Sequence, residues 1–143
     1  MALRPEFVDT NVFLRYLTND VPEQADAVER LLKGAAREER LLVTTALVIA
    51  EVVWTLESYY RLPRGAIQEA VFGILNTPGL EVEGAETVLQ AMAWYRERNV
   101  DFADAFHAAW MLEGGLEIVH TFDRIHFGRF EHVSVSVPGL PGR

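Results

Sequence analysis

The sequence predicts an α/β fold: a single domain with a central, mainly parallel β-sheet that helices cover on both faces. Short apolar runs alternate with segments of helical periodicity, and neither a repeat nor an interdomain linker interrupts this pattern. Strands that alternate with helices pair in parallel through right-handed crossovers. We therefore expect one domain over residues 1–143, with a core from about 6 to 138 and a short Pro/Gly-rich tail.

The first half of the chain contains three short apolar runs that are typical of strands, at 5–9, 41–45 and 80–83. Apolar residues at helical spacing separate them, and proline or glycine stands at several of the junctions. We expect helices from about residue 11 and over 22–39, 46–60 and 66–75.

The second half begins with two predicted helices, 86–98 and 102–113, and the Gly114–Gly115 pair ends the second. The apolar run 116–122 predicts a buried strand, and the alternating run 133–137 predicts a final edge strand. Trp54, Trp94 and Trp110 fall within predicted helices, where we expect them to pack rather than to stack on bases.

Composition excludes several kinds of site. The chain has no cysteine, which excludes disulfides, thiolate catalysis and Cys-ligated zinc and fits a reducing cytoplasm. It also lacks a signal-peptide pattern and any apolar stretch of membrane-spanning length, so we expect a cytoplasmic protein. The net charge of -8 argues against a broad basic surface for nucleic acid, unless several carboxylates gather around divalent cations.

Four acids stand at informative positions. Asp9 ends the first predicted strand and Asp123 follows the strand 116–122, at the sheet edge where α/β folds bind ligands. Glu51 is the only charged residue between Thr44 and Leu56, where a desolvated carboxylate needs a partner. Asp104 lies among small alanines that leave room for a ligand, and Asp101 lies one turn earlier.

Several acids that reach one pocket repel one another, so such an arrangement favours a bound Mg²⁺ or Mn²⁺. The corresponding chemistry is hydrolysis of a phosphodiester bond. The chain has neither a P-loop nor a GxGxxG pattern, so no nucleotide cofactor is expected.

Each acid also has a structural interpretation. Asp9 is a candidate helix cap and Asp123 a candidate turn residue, and a cap is the favoured role for Asp101. No histidine follows a ligand motif, so we expect the histidines to be surface or core residues. They are His107, His120, His126 and His132.

Together these segments resemble PIN domains, and in particular the VapC-like ribonuclease toxins of type II toxin-antitoxin modules. The resemblance rests on residues 7–11 (Phe-Val-Asp-Thr-Asn), the pair 50–51 (Ala-Glu), residues 101–105 (Asp-Phe-Ala-Asp-Ala) and residues 121–124 (Thr-Phe-Asp-Arg) before Phe127. These segments occur in order from about residue 6 to residue 138.

The resemblance implies a Mg²⁺- or Mn²⁺-dependent endoribonuclease, often dimeric and silenced by a cognate antitoxin protein. It implies that Asp9, Glu51, Asp104 and Asp123 are the catalytic and metal-binding acids. It further implies that Asn11 and Thr121 support the site through hydrogen bonds, and Asp101 is an extra acid near the cluster. The RNA class (tRNA, rRNA or mRNA) and the number of ions stay open.

Two other functions compete with this one. In a non-catalytic PIN-like binding module, the same acids would hold a basic segment of a partner without cleaving a bond. A phosphoacceptor receiver domain would need an adjacent acid pair after the first strand and a late lysine. Thr10 and Asn11 follow Asp9, and Lys33 is the only lysine, so the receiver domain is disfavoured.

Overall fold

The computed structural model describes residues 2–141, which divide into two compact units, one up to Ala85 and one from Glu86 onward. Helices and short parallel strands make up both units, which confirms the predicted α/β class. The single domain expected over 1–143 stays a prediction. Within 2–141, no helix combines the length and the apolar character that crossing a membrane requires.

The first unit contains a three-stranded parallel sheet with β2 between β1 and β3. Its elements are β1 (Pro5–Phe7), α1 (Thr10–Thr18), α2 (Pro22–Ala36), β2 (Leu41–Thr45), α3 (Ala46–Ser58), α4 (Arg64–Leu75) and β3 (Leu80–Glu83). Buried Thr44 donates its hydroxyl to the carbonyl of Val8 at 2.8 Å, and Val8 N–H donates to Val43 at 2.9 Å. These bonds fix the chain where β1 passes into α1, directly before Asp9.

A glycine sets the close approach between α2 and β3. Gly79 has a φ of +78°, and a Cβ added there would lie 2.3 Å from the carbonyl oxygen of Ala35. The carbonyl of Gly79 accepts the N–H of Leu42 at 2.9 Å, which joins this turn to the central strand. Only glycine adopts this positive φ readily and also lacks the Cβ that would clash with Ala35.

Helix α3 has two different sides. Val48, Ile49, Val52, Val53 and Leu56 are almost fully buried. The other side of the helix includes Leu47, Glu51 and Trp54, which are exposed. Glu51 therefore lies on the exposed side of the helix, and the desolvation expected for it is not found.

The second unit contains α5 (Ala85–Arg98, which begins at the unit boundary), α6 (Phe102–Gly114), β4 (Ile118–His120), α7 (Arg124–Phe127) and β5 (Ser134–Ser136). Strands β4 and β5 pair in parallel, with Val119 opposite Val135. Trp94 is buried as expected, with its ring 5.0 Å from that of Phe130 and stacked 5.4 Å from that of His132.

Several boundaries predicted from the sequence are wrong. The buried strand expected at 116–122 is limited to β4, and Ile118 is 63% exposed. Asp9 does not end β1, which stops at Phe7, and Asp123 does not directly follow β4, which stops at His120. Each acid is instead the residue before a helix. Helix α2 ends at Ala36, because the chain turns through Glu38 in the left-handed region (φ 62°). Trp54 and Trp110 are exposed, so the packing role expected for them is also wrong.

Candidate active site

In the second unit, the starts of two helices bring two of the predicted acids together. Asp104 lies in the first turn of α6, and Asp123 is the residue that precedes α7. Asp104, Asp123 and His126 each offer one ligand atom, and these three atoms lie within 4.8 Å of one another. We call these three residues the acid-imidazole group.

His126 lies between the two carboxylates. Its Nδ1 is 2.7 Å from Oδ2 of Asp123 and 3.8 Å from Oδ2 of Asp104. A carboxylate only accepts hydrogen bonds, so Nδ1 carries the proton in the short contact. The backbone N–H of His126 also donates to Oδ1 of Asp123 at 3.1 Å. Both oxygens of Asp123 are thereby oriented by one residue.

The two carboxyl groups differ in acidity. Burial raises the pKa of Asp104 above its usual range, and the nearby charges of Asp123 and Asp101 raise it further. The side-chain hydrogen bond from His126, followed by the bond from the His126 backbone, lowers the pKa of Asp123. Asp104 thus holds its negative charge at a cost, whereas the charge on Asp123 is stabilised locally.

Thr121, a predicted supporting residue, contacts the backbone of Asp123. Its hydroxyl oxygen accepts the N–H of Asp123 at 3.0 Å, and its own N–H donates to Ser136 at 3.1 Å. Thr121 therefore joins the acid-bearing turn to strand β5. Asp101 is exposed, and its side chain makes no capping hydrogen bond to α6, contrary to the structural role favoured for it.

In the first unit, Asp9 precedes α1 and Glu51 lies in α3. Asp9 is exposed and its side chain does not cap α1; only its carbonyl accepts a bond, from Val12 N–H at 3.2 Å. The capping role considered for Asp9 is therefore not supported. The predicted supporting residue Asn11 is exposed in the first turn of α1.

Thr10 is a residue that the sequence analysis missed. Its hydroxyl donates to Oε1 of Glu51 at 3.0 Å and so connects the start of α1 to the middle of α3. This contact spans 41 residues of sequence, so no local pattern predicted it. His126 was missed for a different reason: the expected surface or core role ignored its spacing of three residues from Asp123, a spacing that one helical turn brings together.

The acid-imidazole group suits a small divalent cation. Carboxylate oxygens, which Asp104 and Asp123 supply, are the ligands that Mg²⁺ and Mn²⁺ prefer. Burial, followed by the charges of Asp123 and Asp101, disfavours the ionised form of Asp104, and a bound cation would offset that cost. The residues present therefore fit the metal that the sequence predicted.

Comparison with known proteins identifies the fold family. The PIN domain model matches residues 7–133, a span that includes all four predicted acids. Over 119 residues the chain is 28% identical to a VapC ribonuclease of Aquifex aeolicus (strain VF5). The aligned residues make up 83% of this chain and 87% of that relative. Because the family match extends over most of its length, the chain belongs to the PIN domain family.

Proposed function

We propose that this protein is a divalent-metal-dependent endoribonuclease and the toxin of a toxin-antitoxin pair. The acid-imidazole group carries the proposal, since it places two of the predicted acids within reach of one ion in a PIN domain. The similarity to a VapC ribonuclease supports RNA as the substrate.

The proposed catalytic acids are Asp9, Glu51, Asp104 and Asp123, with Asp101 as an additional candidate near the metal. Asp104, Asp123 and the acids of the first unit would hold Mg²⁺ or Mn²⁺. A bound divalent ion activates a water molecule and stabilises the charge that develops on the phosphate.

The remaining residues orient these acids. His126 fixes the carboxylate of Asp123 through two hydrogen bonds, and Thr121 fixes the backbone of the same residue. Thr10 restricts the rotation of the Glu51 carboxylate, and Asn11 is the predicted further support. Such preorganisation matters because a misplaced ligand weakens both metal binding and transition-state stabilisation.

The proposed partners follow from the same site. A cognate antitoxin that inserts an arginine among these carboxylates would silence the enzyme, because guanidinium and carboxylate groups form paired, charge-assisted hydrogen bonds. We further propose a cytoplasmic homodimer that acts on RNA, whether tRNA, rRNA or mRNA.

The test is cleavage of total RNA and purified tRNA by partner-free protein in Mg²⁺ or Mn²⁺, compared with EDTA. We expect cleavage only with metal, and a loss of about 10³-fold in Asp104→Asn. Glu117→Gln is the matched control, because it neutralises an exposed acid of the same unit outside the acid-imidazole group.

Cleavage that persists in EDTA or in Asp104→Asn would contradict the proposal. If folded, metal-loaded protein cuts none of these RNAs yet binds a basic peptide through the same acids, the protein is a binding module instead.

A further inference from the structure

A pocket of the second unit lies beside the acid-imidazole group. It has a volume of about 370 Å³, and α6, β4 and α7 supply its walls. Met111 and Phe127 are its buried residues, and Trp110, His107 and His120 are exposed at its rim. This volume is at the lower end of the range for small-ligand sites, so the pocket suits one ring system.

The pocket adjoins the proposed active site through two of its lining residues. Thr121 lines the pocket, and its hydroxyl accepts the N–H of Asp123. His107 also lines it and follows Asp104 by three residues on α6, a spacing that places both on the same side of the helix. A molecule in the pocket would therefore lie next to a phosphate bound to a metal ion at these acids.

The lining chemistry identifies the kind of ligand. Apart from its two histidines, none of the lining residues carries a titratable charge, so the pocket offers no strong site for a phosphate or a basic peptide. It offers aromatic rings from Trp110 and Phe127, and imidazole and hydroxyl groups from His120 and Thr121. Flat, neutral rings with hydrogen-bonding edges are what such groups recognise.

We propose that this pocket binds the base of a nucleotide that flanks the cleaved phosphate, which rests on the proposed ribonuclease function. Trp110 stacks on the base, while His120 and Thr121 form hydrogen bonds with its edge. Base stacking does not require a basic surface, so the pocket provides affinity for RNA in a chain of net charge -8.

A stable protein partner fits the same place less well. Such an interface needs about 800 Å² on each side, whereas this pocket is a concave site for one small group. A second copy of the chain on Trp110 is nevertheless an outcome that the test must separate, because Ile118 beside it is exposed and apolar.

The experiment measures binding of the four nucleosides, which carry no phosphate, by calorimetry in EDTA. We expect at least one nucleoside to bind, ribose 5-phosphate not to bind, and the nucleoside affinity to be nearly independent of salt. Trp110→Leu should weaken binding by about 10- to 100-fold. Leu112→Ala, at a similarly exposed position of α6 outside the pocket, should leave it unchanged.

A second variant tests how the base is distinguished. His120→Ala removes a hydrogen-bonding group from the exposed side of β4 and should reduce the difference in affinity among the four nucleosides. The overall stacking contribution should persist in this variant, because Trp110 is intact.

The proposal is overturned if no nucleoside binds the folded protein at millimolar concentration, or if Trp110→Leu binds as the unchanged protein does. It is also overturned if Trp110→Leu alters the sedimentation coefficient and not nucleoside affinity, since the pocket is then an interface between copies. If the protein cleaves RNA but binds no nucleoside, the base-binding proposal is wrong and the proposed nuclease function stands. If it binds a nucleoside but cleaves no RNA, the proposed nuclease function is wrong and the pocket still binds a base.

Discussion

In the second unit, Asp104 and Asp123 share one imidazole and repel each other, whereas in the first unit Asp9 and Glu51 are exposed to solvent. Glu51 has a hydroxyl partner in Thr10, and Asp9 makes no side-chain cap. Crowded, partly buried carboxylates destabilise the fold when no cation compensates their charge, whereas exposed carboxylates do not. If the protein binds a divalent metal as proposed, we expect the acids of the second unit to contribute more of the affinity than those of the first.

The largest expected difference between the acids of the two units is in metal binding. Asp104→Asn and Asp123→Asn should each weaken Mn²⁺ binding at least about 100-fold, because each removes a charged oxygen from a preassembled group. Glu51→Gln should weaken it by only about tenfold. Titration calorimetry measures all three, and equal losses would contradict the difference between the units.

His126 gives the next largest effect. His126→Ala should weaken Mn²⁺ binding by about 10- to 100-fold, because the Asp123 carboxylate loses the group that orients it. The pKa of Asp123 should rise in this variant, since the hydrogen bond from His126 is the main cause of its lowering. NMR titration of the carboxyl carbon measures that rise.

His126→Asn is the control, because its amide restores an N–H donor near the position of Nδ1. Partial recovery of both metal affinity and the lowered Asp123 pKa is expected. If His126→Asn recovers the lowered Asp123 pKa but not the metal affinity, the imidazole ligates the metal and does not act only by positioning Asp123.

The raised pKa of Asp104 predicts a smaller effect, on stability. Its folded pKa lies above the unfolded one, so the group stabilises the fold at low pH and this contribution is lost as the pH rises through the unfolded and then the folded pKa. Metal-free Asp104→Asn should therefore melt at a higher temperature than the unchanged protein at pH 7. The difference should shrink towards pH 3, which calorimetry in EDTA measures.

Saturating Mn²⁺ should reverse the order of the melting temperatures, because the cation stabilises only the protein that holds it. Glu117→Gln provides the comparison for a change of net charge alone. If Glu117→Gln stabilises the metal-free protein as much as Asp104→Asn does, general repulsion explains the effect and crowding at Asp104 does not.

Local patterns predicted the elements well and their exposure less well. Periodicity identified helices α1 to α6 and the strands β2 and β3, because side-chain spacing depends on the element itself, but it did not predict the four-residue helix α7. It failed for residues 116–122, where an apolar run is compatible with either a buried strand or an exposed turn. Trp54 shows the same limit, since an apolar side chain in a helix does not reveal which side of that helix is covered.

The candidate site was predicted in part, for reasons that individual residues make clear. Asp104 was identified by the small alanines around it and Asp123 by its place after the predicted strand 116–122, and the structure brings these two together. The Thr10–Glu51 bond depends on the packing of α1 against α3, which no sequence spacing encodes. The assignment of Asp9 and Glu51 to the same metal site stays a prediction.

The smallest expected effect concerns a carboxylate of the first unit that stabilises the fold. Tyr60 donates its hydroxyl to Oδ2 of Asp20 at 2.7 Å, and this bond is the main cause of the lowered pKa of Asp20. Because the folded pKa lies below the unfolded value, the stabilisation is present at neutral pH and is lost as the pH falls through that range. Tyr60→Phe should slightly lower the free energy of unfolding at pH 7.

Urea unfolding between pH 7 and about pH 3.5 measures this effect, and the difference between Tyr60→Phe and the unchanged protein should shrink as Asp20 becomes protonated. Tyr59→Phe is the matched control, because the adjacent Tyr59 is 75% exposed. A difference that stays constant with pH would show that Tyr60 stabilises the unit through its ring. In that case the ionised carboxylate of Asp20 would not stabilise the fold, and its contrast with Asp104, whose ionised carboxylate destabilises it, would be lost.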